Sequence, residues 1–81
     1  MKGITGPTIG KALRNLLREK EMTQAELSRT ISMKESYMSA LVNGKIKNTS
    51  LATLNRIACG LGITISQVIY EVERVSRGDG K

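Results

Sequence analysis

Residues 23–44, TQAELSRTISMKESYMSALVNG, predict two short helices joined by a tight turn, and the rest of the chain is organised around them. Thr23 and Glu26 are spaced as a capping box, in which the threonine hydroxyl accepts a backbone N–H and the glutamate reaches back to the threonine N–H. Apolar residues recur at helical spacing on both sides of the turn, as expected for two helices that share one small core. These residues are Ala25, Leu27, Ile31, Met33, Met38 and Leu41. Small polar residues lie between them in the second helix, which suits a helix that reads another molecule.

This stretch resembles the helix-turn-helix of the Cro and phage-repressor family, whose pattern is approximately T-Q-x-x-L-A, a turn, and a recognition helix that ends before x-x-G. The residues that match it in order and spacing are Thr23, Gln24, Leu27, Ser28, Ile31, Met33, Met38, Leu41 and Gly44. The resemblance extends from about residue 9 to about residue 69. It implies an all-α fold, a compact five-helix domain of the lambda repressor type.

Three positions depart from the family pattern. Ser32 replaces the usual turn glycine, Lys34 replaces the usual Ser or Thr cap, and Val42 stands where many relatives carry Glu. Ser32 and Glu35 can also form a capping box, which would begin the second helix at Met33. We favour the family register, which begins the helix at Glu35, because it points Met33 inward. Lys34 is then a poor cap, at a cost of about 1 kcal/mol relative to serine.

Further helices are predicted on both sides of the motif. The first helix runs from Ile9 to about Glu21, with Thr8 as its cap. The fourth helix runs from residue 51 to residue 61, between the cap Ser50 and Gly62. The fifth helix begins near Ile65, after a capping box formed by Thr64 and Gln67. The buried stripe expected in the first helix is Ile9, Leu13, Leu16 and Leu17. The residues that give the fourth helix its apolar period are Leu51, Leu54, Ile57, Ala58 and Leu61. We expect a single domain over residues 1–76, including a short arm over residues 1–6, and a disordered tail over residues 77–81.

Composition favours an anionic partner. The 81 residues include 13 Lys and Arg against 7 Asp and Glu, a formal net charge of +6. A basic domain of this size favours nucleic acid first and an acidic membrane second, whereas the alternative is an ordinary solvated surface with excess lysine. The chain contains no Phe or Trp, so its core must be aliphatic and methionine, and help from dimerisation is expected.

Several functional classes lack the residues they need. There is no histidine, no glycine-rich phosphate loop and no cluster of acidic residues, so we expect no enzyme, no metal, no cofactor and no small-molecule ligand. The single Cys59 is expected to be a small core residue; a redox sensor would need a cationic neighbour such as Arg56. No apolar run is long enough to span a membrane, and the expected location is cytoplasmic.

The resemblance implies that the second helix of the motif enters the major groove of double-stranded DNA. The residues at the base-reading positions are Glu35, Ser36, Ser39 and Ala40. Serine hydroxyls can donate or accept, an alanine can meet a thymine methyl group, and an ionised glutamate can only accept, which favours a cytosine amino group. Glu35 has an alternative role as a capping residue or as the partner of a lysine.

Phosphate contacts, which set the register of the helix on DNA, are implied at both ends of the motif. The candidate residues are Gln24, Lys34, Tyr37, Asn43, Lys45 and Lys47. Each has an ordinary alternative, because Tyr37 can pack on the first helix and the other side chains can simply be solvated.

A single recognition helix contacts too few base pairs for useful specificity, so relatives bind as twofold dimers on inverted half-sites. The apolar stripe of the fifth helix outlasts the part needed to close the domain, and our candidate homodimer interface is its end, Ile69, Val72 and Val75. The alternative is that this end packs back on its own domain.

These features together predict a sequence-specific DNA-binding regulator of transcription, of phage-repressor or controller type. The rival interpretation is an antitoxin or another protein-interaction module whose DNA binding is secondary, which a long disordered tail would support and the short tail here does not. An RNA-binding protein usually shows surface aromatic residues for stacking, and two tyrosines are too few.

Overall fold

Five α-helices account for most of residues 6–78, the part of the chain that the computed structural model describes. They are α1 Gly6–Glu19, α2 Gln24–Thr30, α3 Glu35–Val42, α4 Leu51–Leu61 and α5 Ile65–Ser76. Within residues 6–78 there is no strand, and no helix is long and apolar enough to cross a membrane. The predicted all-α, five-helix fold is confirmed. Residues 1–5 of the predicted arm and residues 79–81 of the predicted tail lie outside the described residues.

The core is built from aliphatic side chains and one methionine, drawn from all five helices. Its buried members are Ile9, Ala12, Leu13, Leu16, Leu17, Leu27, Met38, Leu41, Val42, Leu54, Ile57, Ala58, Leu61, Val68 and Val72. Helix α1 packs against α3 and α5, and α2 packs against α3 and α4. Because α1 and α2 both contact α3, the helix that carries most of the predicted site residues is held from two directions.

Helix α1 starts and ends two to three residues earlier than its sequence predicts. Thr8 is not its cap, because the helix already begins at Gly6 with Pro7 in its first turn. Proline suits that turn, since the N–H that it lacks would have no partner there and its φ is already helical. The helix ends at Glu19 rather than at Glu21, which instead takes a left-handed conformation with φ 52° in the turn towards α2.

The predicted caps of the other helices are confirmed. Glu26 N donates to Thr23 Oγ1 at 3.0 Å and Thr23 N donates to Glu26 Oε1 at 2.8 Å, which completes the capping box of α2. Thr64 and Gln67 form the equivalent box at α5, and Ser50 caps α4 through a bond from Thr53 N. These local bonds satisfy N–H groups that have no partner inside their own helices.

Two residues of α4 are exposed: Leu51, which belongs to its apolar period, and Cys59, which was predicted to be a core residue. Leu51 is 65% exposed, because it is the first residue of the helix and its side chain leans towards the N-terminal end, where no preceding turn covers it. Cys59 is also exposed, so the prediction of a core cysteine is wrong. The helical period was read correctly, but it does not reveal where along a helix the neighbouring elements stop.

The end of α5 packs back on its own domain. Val72 is only 3% exposed and belongs to the core, and Ile69 and Val75 are half-buried against it. Helix α5 packs along both α1 and α4, which covers more of its apolar stripe than the sequence suggested. Of the three residues predicted for a dimer interface, Val72 is therefore already occupied within the domain.

One carboxylate is buried between α1 and α5. Glu71 is 5% exposed, and its carboxylate accepts bonds from Arg74 Nη2 at 2.8 Å and from Asn15 Nδ2 at 3.0 Å. The hydrogen bond from Arg74 lowers the pKa of Glu71 below 4.5, its ordinary value. Burial opposes this shift, and the hydrogen bond from Asn15 and the charge of Arg74 each lower the pKa further by a smaller amount. The charged form of Glu71 therefore holds α1 and α5 together.

Replacing Glu71 by glutamine should lower the free energy of unfolding at pH 7 by about 2 kcal/mol, the scale of a hydrogen bond to a charged group. Because the pKa of Glu71 is lowered on folding, its contribution is complete above about pH 4.5 and disappears as the pH falls through the lowered pKa. Urea unfolding at a series of pH values should show the wild type and Glu71→Gln converging in acid. Glu19→Gln, which removes an exposed carboxylate from α1, is the control; a gap that stays constant with pH for Glu71→Gln would contradict the assignment.

Candidate DNA-binding surface

The turn between α2 and α3 adopts the register of the family pattern. Ser32 occupies the left-handed position with φ 57°, which for a residue with a Cβ costs on the order of 1 kcal/mol. Met33 N donates to Ser28 O at 2.8 Å and closes the end of α2. Helix α3 begins at Glu35, and Lys34 is its cap residue without a side-chain hydrogen bond. The alternative capping box at Ser32 does not form, and Met33 is half-buried against the core as expected.

Helix α3 has one apolar side and one outward side. Met38, Leu41 and Val42 are at most 1% exposed and hold the helix on the core. The outward side carries the predicted base-reading residues, of which Glu35 and Ser36 are exposed and Ser39 and Ala40 are half-buried. Tyr37, at 36% exposure, and Asn43 complete that side. The four predicted base-reading residues are thus all accessible on a single helix.

A hydrogen bond orders part of this outward side. Asn43 Nδ2 donates to Ser39 Oγ at 3.2 Å, from one turn further along the chain. The Ser39 hydroxyl accepts this bond on one of its two lone pairs and keeps its own hydrogen available for an external acceptor. Asn43 therefore orients a predicted base-reading hydroxyl in addition to its predicted role at phosphate.

The loop after α3 presents basic side chains. Lys45 and Lys47 are exposed, whereas Ile46 between them is half-buried and packs against the core. Gly44 has φ 75°, and an added Cβ there would lie 2.8 Å from the Pro7 Cα, so the loop runs directly against the start of α1. The inward Ile46 anchors the loop and leaves both predicted phosphate-contacting lysines in solvent.

The remaining predicted phosphate contacts lie at the starts of the two motif helices. Gln24 is the half-buried first residue of α2, and its carbonyl accepts the Ser28 hydroxyl at 2.8 Å. Lys34 is exposed directly before α3. The described residues include no group of three or more His, Cys, Asp or Glu side chains that could hold a metal ion. The chemistry offered by this surface is that of hydrogen bonding and positive charge.

Sequence reasoning missed Arg14 on α1. Its Nη1 donates to the Val42 carbonyl, the last of α3, at 2.7 Å. The acceptor is a main-chain carbonyl 28 residues away, and every residue has such a carbonyl. The sequence therefore contains no signal that could predict this partner. The four-residue spacing of Gly6, Gly10 and Arg14 was visible in the sequence, but it does not say what lies opposite.

Comparison with known proteins identifies the family of this fold and surface. The model of the Cro/C1-type HTH DNA-binding domain matches residues 12–73. The chain belongs to this family. It is 36% identical over 66 residues to the control protein C.MunI of a Mycoplasma species, covering 80% of this chain and 88% of that protein. The family resemblance inferred from residues 23–44 is confirmed.

Two solved structures share the fold. The clp gene regulator ClgR of C. glutamicum is 28% identical, with a TM-score of 0.75 over 84% of this chain and 87% of that chain. The restriction-modification controller protein C.AhdI of Aeromonas hydrophila is 25% identical, with a TM-score of 0.70 over 78% of this chain and 94% of that chain. This member of the Cro/C1-type family is a helix-turn-helix DNA-binding regulator, and its partner is double-stranded DNA. The roles of individual residues at its surface remain predictions.

Replacing Lys47 by alanine should weaken binding to all DNA sequences alike, because a phosphate contact carries no base information. If Lys34, Lys45 and Lys47 of each subunit of a dimer neutralise one phosphate apiece, the log–log salt slope of the wild type should be about −5, and the variant should flatten it by about one unit per subunit. Fluorescence anisotropy titrations over about 50 to 200 mM salt measure this slope. Lys20→Ala, which removes an exposed lysine beyond the end of α1, should leave it unchanged; an unchanged slope for Lys47→Ala would remove Lys47 from the site.

Proposed function

We propose that this protein binds an inverted-repeat DNA operator as a homodimer and regulates transcription there as a controller-type protein, with α3 of each protomer in the major groove. The observation that carries the proposal is the two-sided character of α3, whose outward side offers small polar groups while its inner side is apolar. A helix that needed only to be soluble would expose longer charged residues there. The similarity to the control protein C.MunI and to the restriction-modification controller C.AhdI supports the same role.

Base reading is assigned to Glu35, Ser36, Ser39 and Ala40. The Ser39 hydroxyl, accepting from Asn43, donates to a base acceptor such as guanine N7 or O6, and the Ala40 methyl group meets a thymine methyl group. Ser36 and Glu35 lie in the first turn of α3 and read the base pairs nearest the start of the helix. Glu35, as an acceptor, is paired with a cytosine amino group.

Phosphate binding is assigned to residues on both sides of α3. They are Gln24, Lys34, Tyr37, Asn43, Lys45 and Lys47. The formal net charge of +6 supports a long-range attraction to DNA. The proposed function involves no catalytic step. The proposed location is cytoplasmic, as expected from the sequence, because a regulator acts where its operator is.

The dimer surface is assigned to the outward sides of α4 and α5. Leu51 and Tyr70 are the most exposed large apolar side chains of residues 6–78, at 65% and 61%. Ile65 and Ile69 lie half-buried beside them and line the same shallow groove. Two copies related by a twofold axis would cover this surface with itself, which removes apolar area from water in both protomers. Of the three residues that the sequence predicted for the interface, Ile69 is the one that also belongs to this surface.

Selection of bound duplexes from a randomised pool, at near-physiological salt, tests the DNA-binding part of the proposal. The expected result is an enriched inverted repeat with half-sites about one helical turn apart. Single substitutions of Ser36, Ser39, Ala40 and Glu35 should then change the preferred base at separate positions of the half-site. Retention of every sequence alike, with strong salt sensitivity, would overturn sequence-specific recognition and direct the search to a protein partner.

Replacing Leu51 by aspartate should convert the dimer into a monomer without unfolding it, because the charge would be buried between protomers but is solvated in the free domain. Sedimentation equilibrium gives the oligomeric state, and circular dichroism confirms the fold. Tyr37→Asp, the same change at an exposed large residue outside this surface, should remain dimeric. A dimer that persists in both Leu51→Asp and Tyr70→Asp would rule the surface out. Val72→Asp is no substitute, because it would place a charge in the core of the domain.

A further inference from the structure

We infer that Arg14, together with Gly6 and Gly10 on the same side of α1, positions the C-terminal end of α3 and thereby sets how strictly the protein discriminates between DNA sequences. The inference rests on the proposed function, in which α3 reads base edges. Arg14 acts here through α3 and not by reading bases itself. It is a positioning residue in a helix outside the helix-turn-helix motif.

The contact completes the hydrogen bonding at the end of α3. The carbonyls of Ser39, Ala40 and Leu41 accept N–H groups from the three residues that follow the helix, at 2.9 to 3.1 Å. The next carbonyl is that of Val42, and Arg14 Nη1 donates to it at 2.7 Å. A guanidinium at this point also lies at the negative end of the helix dipole, which strengthens the bond.

Two glycines bring the backbone of α1 against the same end of α3. Gly6, Gly10 and Arg14 are four residues apart and lie along one side of α1. An added Cβ on Gly10 would lie 2.5 Å from the Val42 carbonyl oxygen, and one on Gly6 would lie 2.6 Å from the Gly44 carbonyl oxygen. Both neighbours are backbone atoms, which cannot rotate away as a side chain can. The end of α3 is therefore wedged against α1 by backbone contact and held there by Arg14.

The start of α3 is held differently, by Met33 half-buried on the core and by a hydrogen bond from Arg56 to the Ile31 carbonyl in the preceding turn. Lys34 makes no side-chain cap, and the preceding turn passes through Ser32 in a left-handed conformation. At the other end, the Val42 side chain is 1% exposed in the core while its carbonyl is bound by Arg14, so one residue is fixed in two directions. The attachment at the C-terminal end, together with the packing of α3 on α1 and α2, therefore fixes the direction of α3.

Discrimination between bases depends on that direction. Hydrogen bonds to base edges have a narrow range of distances and angles, so a small tilt of α3 would weaken correct contacts more than it weakens the electrostatic contacts to phosphate. Loss of the Arg14 bond should therefore reduce binding to the correct operator more than binding to an altered one.

The test compares Arg14→Met with Arg18→Met. Methionine keeps the apolar stem and removes the guanidinium, and Arg18 is an exposed arginine one turn further along α1, so both variants lose one positive charge. Dissociation constants are measured at one salt concentration for the selected operator and for a duplex with one altered base pair in each half-site. Their ratio should fall about tenfold in Arg14→Met, given the strength of a charge-assisted bond, and stay at the wild-type value in Arg18→Met.

The ratio separates positioning from mere stabilisation. Partial unfolding lowers the active fraction equally for both duplexes, so it changes both constants and leaves their ratio unchanged. A wild-type ratio in Arg14→Met, or an equal fall in both variants, overturns the inference while leaving the proposed function standing. A wild-type protein that selects no sequence overturns the proposed function, and the inference with it.

Discussion

An eight-residue helix does not hold its shape in water by itself, and α3, which presents the candidate base-reading surface, has that length. It exists as a helix because Met38, Leu41 and Val42 are buried in the core of the domain. The outward side of α3 is therefore only as well ordered as this inner side. The rest of the fold can be understood as the means of holding three apolar side chains in place, with α1 and α2 packed against α3.

The three departures from the family pattern all lie in or beside α3. Ser32 accepts a left-handed conformation that glycine would adopt without strain, and Lys34 leaves the start of the helix without a side-chain cap. Such local inconsistencies are common at functional surfaces. Val42, in contrast, adds to the core, and its carbonyl is taken by Arg14.

Helix α5 serves two surfaces. Its inner residues Val68 and Val72 close the core, and the buried carboxylate of Glu71 joins it to Asn15 of α1. Its outer residue Tyr70 lies in solvent. Val72 belongs to the inner set because residues at helical spacing are the ones that the domain itself needs to bury.

The sequence by itself determined the five helices, most of their caps, the register of the turn and the family, because capping boxes and helical spacing act between residues that are close in the chain. It also predicted which residues would lie on the outward side of α3. Only the tertiary structure decided that Leu51 is exposed, that Val72 is buried and that Arg14 binds the end of α3. Each of these depends on where one helix stops against another, or on a backbone carbonyl far away in the chain. The spacing of side chains cannot predict these contacts, because it indicates which side of a helix is covered but not which residues cover it.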